Sequence, residues 1–599
     1  MKTRNTILCT LALTFSVACN ESVFLDNPPK GNVLETQLMT PAGAEDLCTS
    51  AYAALMGPNP QEWSACWYPV THWTTGSVRS DDAYKGGGGT GDGWETHRLE
   101  TFTLDATDGV TDSKWYHLCV SIQRCNLALK NLKALSAEDM PQRDCRIAEM
   151  NVLRAHYFFE LQRMFNQIPW FDETMSDSEV AKTPNNVYSR EQLLDKIADE
   201  IRTAAEVLPE TQPQVGRVNK YMANAYLAKV LLYRAYEQDP ETHAVVNMNA
   251  DALNEVADLC EDIRTSTKYD LFENFEDLDL VAKDNGKECI WDIQFSMHDG
   301  SASAGRVNWS NLLNTPQGPY KGDGFFLPSQ DLINAYQTDD DGLPVFDYQS
   351  LPDFAKVTLE GDKSVITNYD HKVDPRLDFI VGRPNVTWKT YDKSPCLSQW
   401  VRDRGTYGYN CNKRFVVSPE SPDMYPGWPW GASALNWHMI RYAHILLWEA
   451  EARIELGEVP EGIKLINQVR ERARDSKYVK AWTDPSKCFD GTCPNFGGYA
   501  ANYKIGLYPE TLNKEQARQA LRTETRLECA MEGERFFDLV RWGIAADVMN
   551  KYIAKEEASR VYYQGAQFTS GRDEYLPITN NQYKFSGKNY VQNPGYAAF

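Results

Sequence analysis

Apolar residues recur at helical spacing over much of the first and last thirds of the chain. Residues 143–165 place Met150, Leu153 and Tyr157 on one face, and residues 217–237 carry alanines and tyrosines along a similar stripe. The helices predicted by this spacing cover residues 112–135, 143–165, 191–208, 217–237, 251–264, 436–457 and 461–473. Because alanine on such stripes lets helix axes approach closely, we expect the helices to pack in antiparallel pairs.

Helices that pack in consecutive pairs are typical of tetratricopeptide-like repeats. No clean repeat of about 34 residues can be aligned along the chain, so the prediction rests on the pairing pattern. The sequence therefore predicts a mainly α-helical fold of tetratricopeptide-like repeats with a large irregular, loop-rich insertion.

Two other regions lack helical spacing. Residues 57–110 are rich in tryptophan and contain the run KGGGGTGDGW, and residues 270–435 are rich in proline, glycine, aspartate and aromatic residues. The glycine run lacks the lysine and hydroxyl residue of a phosphate-binding loop, so we interpret it as a surface loop. Short β-like runs occur at residues 288–296 and 414–418. Irregular segments of this length are often functional.

Residues 521–543 mix apolar and charged side chains in one helical pattern. Gly533 is expected to break or bend the apolar stripe that includes Leu527 and Phe537. The charged side chains of its second half are those of Glu534, Arg535, Asp538 and Arg541. Because aromatic neighbours leave no fully polar face, we expect these charges to form a buried network of carboxylates and guanidinium groups. A catalytic acid–base cluster is the functional alternative.

The N-terminus has the pattern of an export signal. Lys2 and Arg4 precede an apolar run at residues 7–18, which is too short to span a membrane. The run ends in SVAC, so residues 1–18 resemble a lipoprotein signal peptide, and Cys19 is predicted to be the lipidated first residue of the mature chain. The alternative is an ordinary signal peptide in which Cys19 is incidental.

The net charge of the chain narrows the classes of partner that it can bind. The formal net charge of −22 disfavours nucleic acid as a partner.

Export permits disulfide bonds, and the candidate pairs are Cys488–Cys493 and Cys396–Cys411. No cysteine–histidine cluster has zinc-ligand spacing, so we expect neither a structural metal nor a cofactor. Residues 338–342, TDDDG, place three carboxylates in a turn, which suits calcium, but they lack the spaced ligands of a calcium loop, so we interpret them as a solvated turn and keep calcium binding as the alternative.

Several motifs resemble those of the SusD/RagB family of outer-membrane nutrient-binding lipoproteins. They are GERFFDLVRWG at residues 533–543, DPRL at 374–377, the helix beginning Arg-Tyr-Ala at 441–443, MNVLRAHYFFELQRMFNQIPW at 150–170, and YLPIT at 575–579 followed by Gln582. Their order and spacing extend the resemblance over nearly the whole chain. Within DPRL, we expect Asp374 to cap the turn that Pro375 begins and Arg376 to pair with it.

The resemblance implies both an organisation and a role. The expected segments are a signal peptide at residues 1–18, an N-terminal SusD-like helical region with an aromatic-rich loop at 19–270, an irregular ligand-binding region at 271–435 and a C-terminal SusD/RagB helical region at 436–599. The implied role is that of a surface-exposed, lipid-anchored outer-membrane protein that captures oligosaccharides. It would deliver them to a SusC-like TonB-dependent transporter, over which it acts as a lid, with the interface on its helical side.

The resemblance also indicates where ligand would bind, namely residues 63–97 and 291–330. In these segments we expect Trp73, Trp94, Trp309 and Tyr320 to stack on sugar rings, and Arg79, Asp81 and Asn308 to hydrogen-bond sugar hydroxyls. The alternative for each tryptophan is ordinary core packing.

Sequence motifs of enzymes are absent. The chain contains no GxSxG, HExxH or Walker motif and no dinucleotide-binding fingerprint that follows a strand, so no catalytic residue is assigned. Its many carboxylates leave open a secreted glycoside hydrolase that uses a pair of them. A peptide-binding member of the same family is a further alternative.

Overall fold

The computed structural model of the protein describes residues 38–599 except 58–63, 68, 298–299, 301–305, 361–362, 367–370, 390–394 and 483–495. The predicted signal peptide with Cys19 and the candidate pair Cys488–Cys493 lie outside the described residues. None of the helices in the described part of the chain is both long and apolar enough to cross a membrane.

Helices form most of the regular structure. In chain order they are α1 (Pro41–Ala53), α2 (Ser64–Trp67), α3 (Trp94–Glu100), α4 (Gly109–Ala134), α5 (Arg143–Phe165), α6 (Asp177–Val180), α7 (Arg190–Val207), α8 (Lys220–Ala235), α9 (Ala250–Thr265), α10 (Gln330–Ala335), α11 (Arg376–Ile380), α12 (Arg404–Tyr407), α13 (Tyr442–Leu456), α14 (Val459–Asp475), α15 (Lys514–Cys529), α16 (Arg535–Arg541), α17 (Ala545–Glu556) and α18 (Asn580–Phe585). Long helices pack against their sequence neighbours, in the order α1, α4, α5, α7, α8, α9, α13 and α14. This helical array confirms the predicted repeat-like α-helical fold.

Local capping determines where these helices begin and end. The Asp108 carboxylate accepts the N–H of Thr111 at 2.7 Å and starts α4. Ser189 and Gln192 bond each other's backbone N–H groups in a capping box that starts α7. Gly457 takes a left-handed conformation, with φ of 95°, and ends α13.

The strands are short and occur in groups of two or three. They are β1 (Ala83–Gly86), β2 (Tyr236–Gln238), β3 (Val245–Met248), β4 (Cys289–Ile293), β5 (Phe325–Pro328), β6 (Gln337–Thr338), β7 (Val357–Glu360), β8 (Lys363–Ile366), β9 (Lys372–Val373), β10 (Val381–Gly382), β11 (Cys411–Asn412), β12 (Trp437–Arg441), β13 (Lys480–Trp482), β14 (Phe496–Tyr499) and β15 (Asn502–Tyr503). The antiparallel pairs are β1–β5, β2–β3, β4–β12, β7–β8, β10–β11 and β13–β14. Strand β9 lies between β6, which is antiparallel to it, and β15, which is parallel.

Two predicted elements differ in the structure. The first residues of the predicted helix 436–457 form strand β12, because their backbone pairs with β4, and α13 begins only at Tyr442. The β-like run at 414–418 is not a strand, since Phe415 adopts a left-handed φ of 57° that interrupts an extended chain. Its apolar residues are nevertheless buried.

Helix α15 connects the helical array to the loop-rich region through buried ion pairs. Glu524 and Glu528 lie one turn apart, and Arg376 of α11 donates to both, at 2.5 and 3.0 Å. Arg441 of β12 donates to Glu528 at 2.7 Å. The expected DPRL contact is confirmed, because Asp374 accepts the Arg376 backbone N–H and the Nε and Nη2 N–H groups of its guanidinium. These groups are fully buried, so each charge depends on its partners.

The network predicted for residues 521–543 is also present. Gly533, with φ of 86°, separates α15 from α16 as expected. Glu534 accepts bonds from Arg163 at 2.7 Å and from Lys229 at 3.0 Å. Burial alone would raise the pKa of Glu534, but these two cations outweigh it and lower the pKa to about 2. Arg541 pairs with Asp538 at 2.9 Å, so the charges of this stretch form ion pairs.

A close backbone contact fixes the turn between α15 and α16. A Cβ on Gly76 would lie only 1.7 Å from the carbonyl oxygen of Gly533. A Cβ on Gly533 would lie 2.2 Å from the carbonyl oxygen of Thr71. Only glycine permits this approach, which holds the helical turn Trp73–Val78 against the α15–α16 junction.

The predicted Cys396–Cys411 disulfide is not formed, and both cysteines are buried free thiols. Strand pairing places Cys411 opposite Gly382, and the Cys396 thiol donates to the Gly382 carbonyl at 3.3 Å. The hydrogen bond between the two thiols, together with burial, raises the pKa of Cys411 well above its usual value.

Residues 338–342 form a turn held by one of their own carboxylates. The Asp339 side chain accepts the backbone N–H groups of Asp341 and Leu343, both at 2.9 Å. Asp340 pairs with Lys372. The three carboxylates are exposed, as expected for a solvated turn.

Candidate functional site

The structure places the aromatic residues predicted to bind ligand in two different settings. Trp94 is 51% exposed at the start of α3. Trp73, Trp309 and Tyr320 are at most 4% exposed. Because stacking on a sugar needs an open ring face, only Trp94 presents one in this conformation, and the other three rings are packed in the interior.

The polar residues of the prediction are buried as well and hold loops in place. Arg79 donates to the carbonyl oxygen of Asp573 at 2.7 Å. Asp81 accepts a bond from Arg535 at 2.9 Å. Asn308 caps the helical turn that follows it. These bonds shape the loop region, and ligand binding by the three side chains stays untested.

One of the buried rings lies beneath an exposed aromatic residue, and another is held in the interior. Trp309 packs edge-on against Trp428, with ring centres 5.2 Å apart. The Tyr320 hydroxyl donates to the carbonyl of Val417 at 2.6 Å and accepts the indole N–H of Trp388 at 2.7 Å. Trp309 therefore supports a surface on which the exposed neighbouring ring is that of Trp428.

Residues 425–432 form the first loop of that surface. Its base is closed by the bond from the Tyr425 N–H to the Ala432 carbonyl, 2.8 Å long. Trp428 is 51% exposed and Trp430 is 38% exposed. The ammonium group of Lys321 lies 5.0 Å from the centre of the Trp430 ring. The loop thus displays two indole rings beside a cation.

The glycine run that precedes Trp94 forms the second loop. The Lys85 ammonium donates to the carbonyl oxygens of Gly86 and Gly89, both at 2.9 Å, and to that of Asp92. Burial lowers the pKa of Lys85 to about 8. A lysine that holds three carbonyl groups gives this glycine-rich segment a defined shape and fixes the position of Trp94.

Arg402 joins the two loops through a third. Its guanidinium bonds the Asp92 carboxylate and the Asp323 carbonyl, both at 3.0 Å. Asp323 belongs to the loop 317–324, which also carries Lys321 beside Trp430. We call Trp94, Lys321, Asp323, Arg402, Trp428 and Trp430 the loop surface. Burial raises the pKa of Asp323, and the charge of Arg402 opposes this shift.

The loop surface combines groups that suit a carbohydrate. Indole rings can stack on the C–H faces of sugars, while guanidinium, ammonium and carboxylate groups can bond the hydroxyls at the ring edges. Trp428, Trp430, Lys321 and Arg402 were not among the predicted residues. The sequence signal for the two tryptophans was PGWPWG at residues 426–431, because proline and glycine on both sides of an aromatic residue indicate an exposed turn.

Two family models match the chain. The one described as "SusD family" matches residues 287–596, just over half of the chain. The one described as "Starch-binding associating with outer membrane" matches residues 88–232. Among characterised relatives, SusD-like protein P2 of Formosa agariphila is 22% identical over 513 residues, which cover 83% of each chain.

Solved structures share the fold over nearly the full length. A laminarin binding SusD-like protein superposes with a TM-score of 0.63 at 21% identity, covering 93% of this chain and 99% of its own. Surface glycan-binding protein A from Bacteroides thetaiotaomicron in complex with laminarihexaose has a TM-score of 0.63 at 18% identity, covering 92% and 99%. With a family model matched over more than half of its length, the chain belongs to the SusD family.

Proposed function

We propose that this protein binds oligosaccharides at the loop surface and delivers them to a SusC-like TonB-dependent transporter in the outer membrane. The observation that carries the binding step is the exposure of Trp94, Trp428 and Trp430 on loops that Arg402 and Lys321 hold together. Two relatives with this fold are named for laminarin or laminarihexaose, which makes β-glucan oligosaccharides the first ligands to test.

Membership of the SusD family makes the chain a binding protein rather than an enzyme. Neutral sugars match the loop surface because both signs of charge occur there next to indole rings, so no strongly charged ligand is required.

The binding test is calorimetry of the protein without its first 18 residues. Laminari-oligosaccharides, malto-oligosaccharides and a peptide mixture are titrated in turn, and the mixtures are analysed for cleavage products. We expect saturable binding of one glycan class without cleavage. Trp428→Ala and Trp430→Ala should each weaken binding about fivefold or more, since stacking contributes on the order of 1 kcal/mol or more per ring.

The matched control for these variants is Tyr116→Ala. Tyr116 is 56% exposed on α4 and is not part of the loop surface, so this variant should bind like the wild type. Equal weakening by all three variants, or release of sugar products, contradicts the proposal. Binding of peptides but of no glycan would contradict the proposal and support the alternative that the protein binds peptides.

Delivery requires a membrane anchor and a transporter. We assign the anchor to lipid on Cys19. By analogy with the family, we assign the transporter interface to the helical array. Cys19→Ala should release the protein from the outer-membrane fraction and abolish labelling by a fatty-acid analogue. An affinity tag at the C-terminus should co-purify a TonB-dependent barrel from detergent-solubilised outer membranes. A Cys19→Ala protein that stays membrane-bound contradicts the anchor assignment.

A further inference from the structure

Three potential metal ligands meet where β4 pairs with β12. Asp292 and His438 lie opposite each other in the antiparallel register, and Cys289 begins β4. The His438 Nδ1 atom is 2.8 Å from a carboxylate oxygen of Asp292 and 3.7 Å from the Cys289 sulfur. All three ligand atoms lie within 4.8 Å of one another, and the three side chains are buried.

The hydrogen bonds of His438 determine which ring nitrogen faces this group. Its Nε2 atom lies 2.9 Å from the carbonyl oxygen of Leu278, which can only accept, so Nε2 carries a proton. The nitrogen directed at Cys289 and Asp292 is therefore Nδ1. A histidine whose remote N–H is held by a backbone carbonyl is oriented as metal-binding histidines usually are.

A second cluster of similar composition lacks this arrangement. The His444 Nδ1 atom accepts the backbone N–H of Arg441 at 3.1 Å, so its Nε2 atom, which faces Glu532, carries the proton. Glu532 is already paired with Arg414 at 3.0 Å and with Arg441. Cys529 completes this cluster beside the Arg441 guanidinium. Two guanidinium groups and a protonated nitrogen leave no place for another cation.

We propose that Cys289, Asp292 and His438 bind one divalent metal ion of the zinc class. One sulfur, one imidazole nitrogen and one carboxylate oxygen form a donor set typical of zinc and cobalt rather than of calcium or magnesium. For usual zinc–ligand bond lengths in a tetrahedron, neighbouring ligand atoms are about 3.3–3.6 Å apart. The 3.7 Å nitrogen–sulfur separation fits, and the 2.8 Å nitrogen–oxygen separation must open by about 0.5 Å.

A further carboxylate and a surface groove lie next to the three ligands. The Oδ1 atom of Asp284 is buried and has no hydrogen-bond partner among the described residues, and its carboxylate interacts electrostatically with His438 and Asp292. The backbone N–H of Asn285 holds the other oxygen of Asp292 at 3.2 Å. Asp292 also lines a surface groove with Gln294.

Metal binding would join two parts of the fold. It would replace the protons on the Cys289 thiol and on His438 Nδ1. The ion would then hold β4 to β12, whose last residue, Arg441, leads into α13 and into the buried ion pairs of α15. The expected effect is a more stable contact between the loop-rich region and the helical array, separate from glycan binding.

Cobalt is the most direct test because its spectrum reports its ligands. The chain without its first 18 residues and without a histidine tag is treated with a chelator and titrated with Co²⁺. We expect one ion per chain, with a sulfur-to-cobalt charge-transfer band and the strong visible absorption of a four-coordinate ion. Zn²⁺ should displace the cobalt and raise the unfolding temperature.

Substitutions locate the ion. Cys289→Ser should remove the charge-transfer band, and Asp292→Asn should weaken cobalt binding at least tenfold. Cys529→Ser, in the second cluster, is the matched control and should leave the spectrum unchanged. Circular dichroism shows whether each variant folds. Absence of a sulfur band in the wild type, or its loss in Cys529→Ser instead of Cys289→Ser, overturns the proposal. A six-coordinate spectrum without sulfur also overturns it.

Discussion

Arginine and tryptophan side chains occur in two regions of the molecule, in opposite settings. Near α15 and α16, Arg376 and Arg441 are completely buried among carboxylates, and the Trp542 indole donates to Glu451 at 2.8 Å. On the loop surface, the Arg402 side chain keeps 29% of its area exposed and Trp430 keeps 38%. The same residue types thus serve folding where they are enclosed by partners, and they remain open to a ligand where they are not.

Removing a buried charge near α15 should lower the free energy of unfolding more than any change on the loop surface. Arg441→Met leaves Glu528 and Glu532 without one of their partners in a fully buried setting. We expect the free energy of unfolding, measured by urea denaturation, to fall by about 3–5 kcal/mol. A loss below about 1 kcal/mol would show that the remaining arginines compensate, and that the buried network is redundant.

Acid should weaken the same region in a defined pH window. The folded-state pKa of Glu534 is about 2, below its ordinary value of 4.5, so its ion pairs stabilise the protein fully above about pH 5. That contribution, about 3 kcal/mol, is lost as the pH falls from about 5 to 2. Urea denaturation at a series of pH values should show a shallower acid slope for Glu534→Gln. The exposed Glu461→Gln serves as control and should keep the wild-type slope.

A steric change tests the glycine contact behind the loops. Gly76→Ala places a methyl group 1.7 Å from the Gly533 carbonyl oxygen, so the backbone must move. We expect the free energy of unfolding to fall by about 1–3 kcal/mol. Gly91→Ala, whose Cβ would meet nothing within 4 Å, should change stability by less than about 0.5 kcal/mol. Equal thermal shifts in both variants would contradict the assigned close contact.

The smallest stability effect is expected on the loop surface itself. Arg402→Met breaks an accessible ion pair with Asp92, which contributes less than about 1 kcal/mol to unfolding. The same change frees the Trp94 loop from the loop that carries Asp323, so glycan affinity should fall about threefold to tenfold in calorimetry. Unchanged affinity would show that the two loops act independently in binding.

Helix positions were predictable where one pattern runs uninterrupted. The predicted helix 143–165 coincides with α5, because its apolar positions continue to its end at Phe165. Strand β12 was missed because its partner β4 lies far away in the sequence, with His438 paired to Asp292 across 146 residues. A local sequence pattern carries no information about such a distant contact. Apolar strand residues next to a helix are therefore easily assigned to the helix.

The site was less predictable because exposure is a tertiary property. Trp309 and Trp428 touch each other, yet one is 4% exposed and the other 51%. Both lie in irregular, aromatic-rich sequence. Proline and glycine around Trp428 indicate an exposed turn, but nothing near Trp309 in the sequence indicates that its ring is covered by Trp428. The buried ion pairs of DPRL were predictable, because Asp374 and Arg376 are two residues apart and form a local turn.

Helix α15 presents ionic contacts on opposite sides. Arg526 bonds Asp82 at 2.9 Å and Asp331 at 3.0 Å in the loop-rich region, whereas Glu524 accepts Arg470 of the helical array at 2.8 Å. Helix α15 is therefore one of the connections, together with the β4–β12 pairing, through which a load applied to the loops by a long polymer would reach the stack of helices.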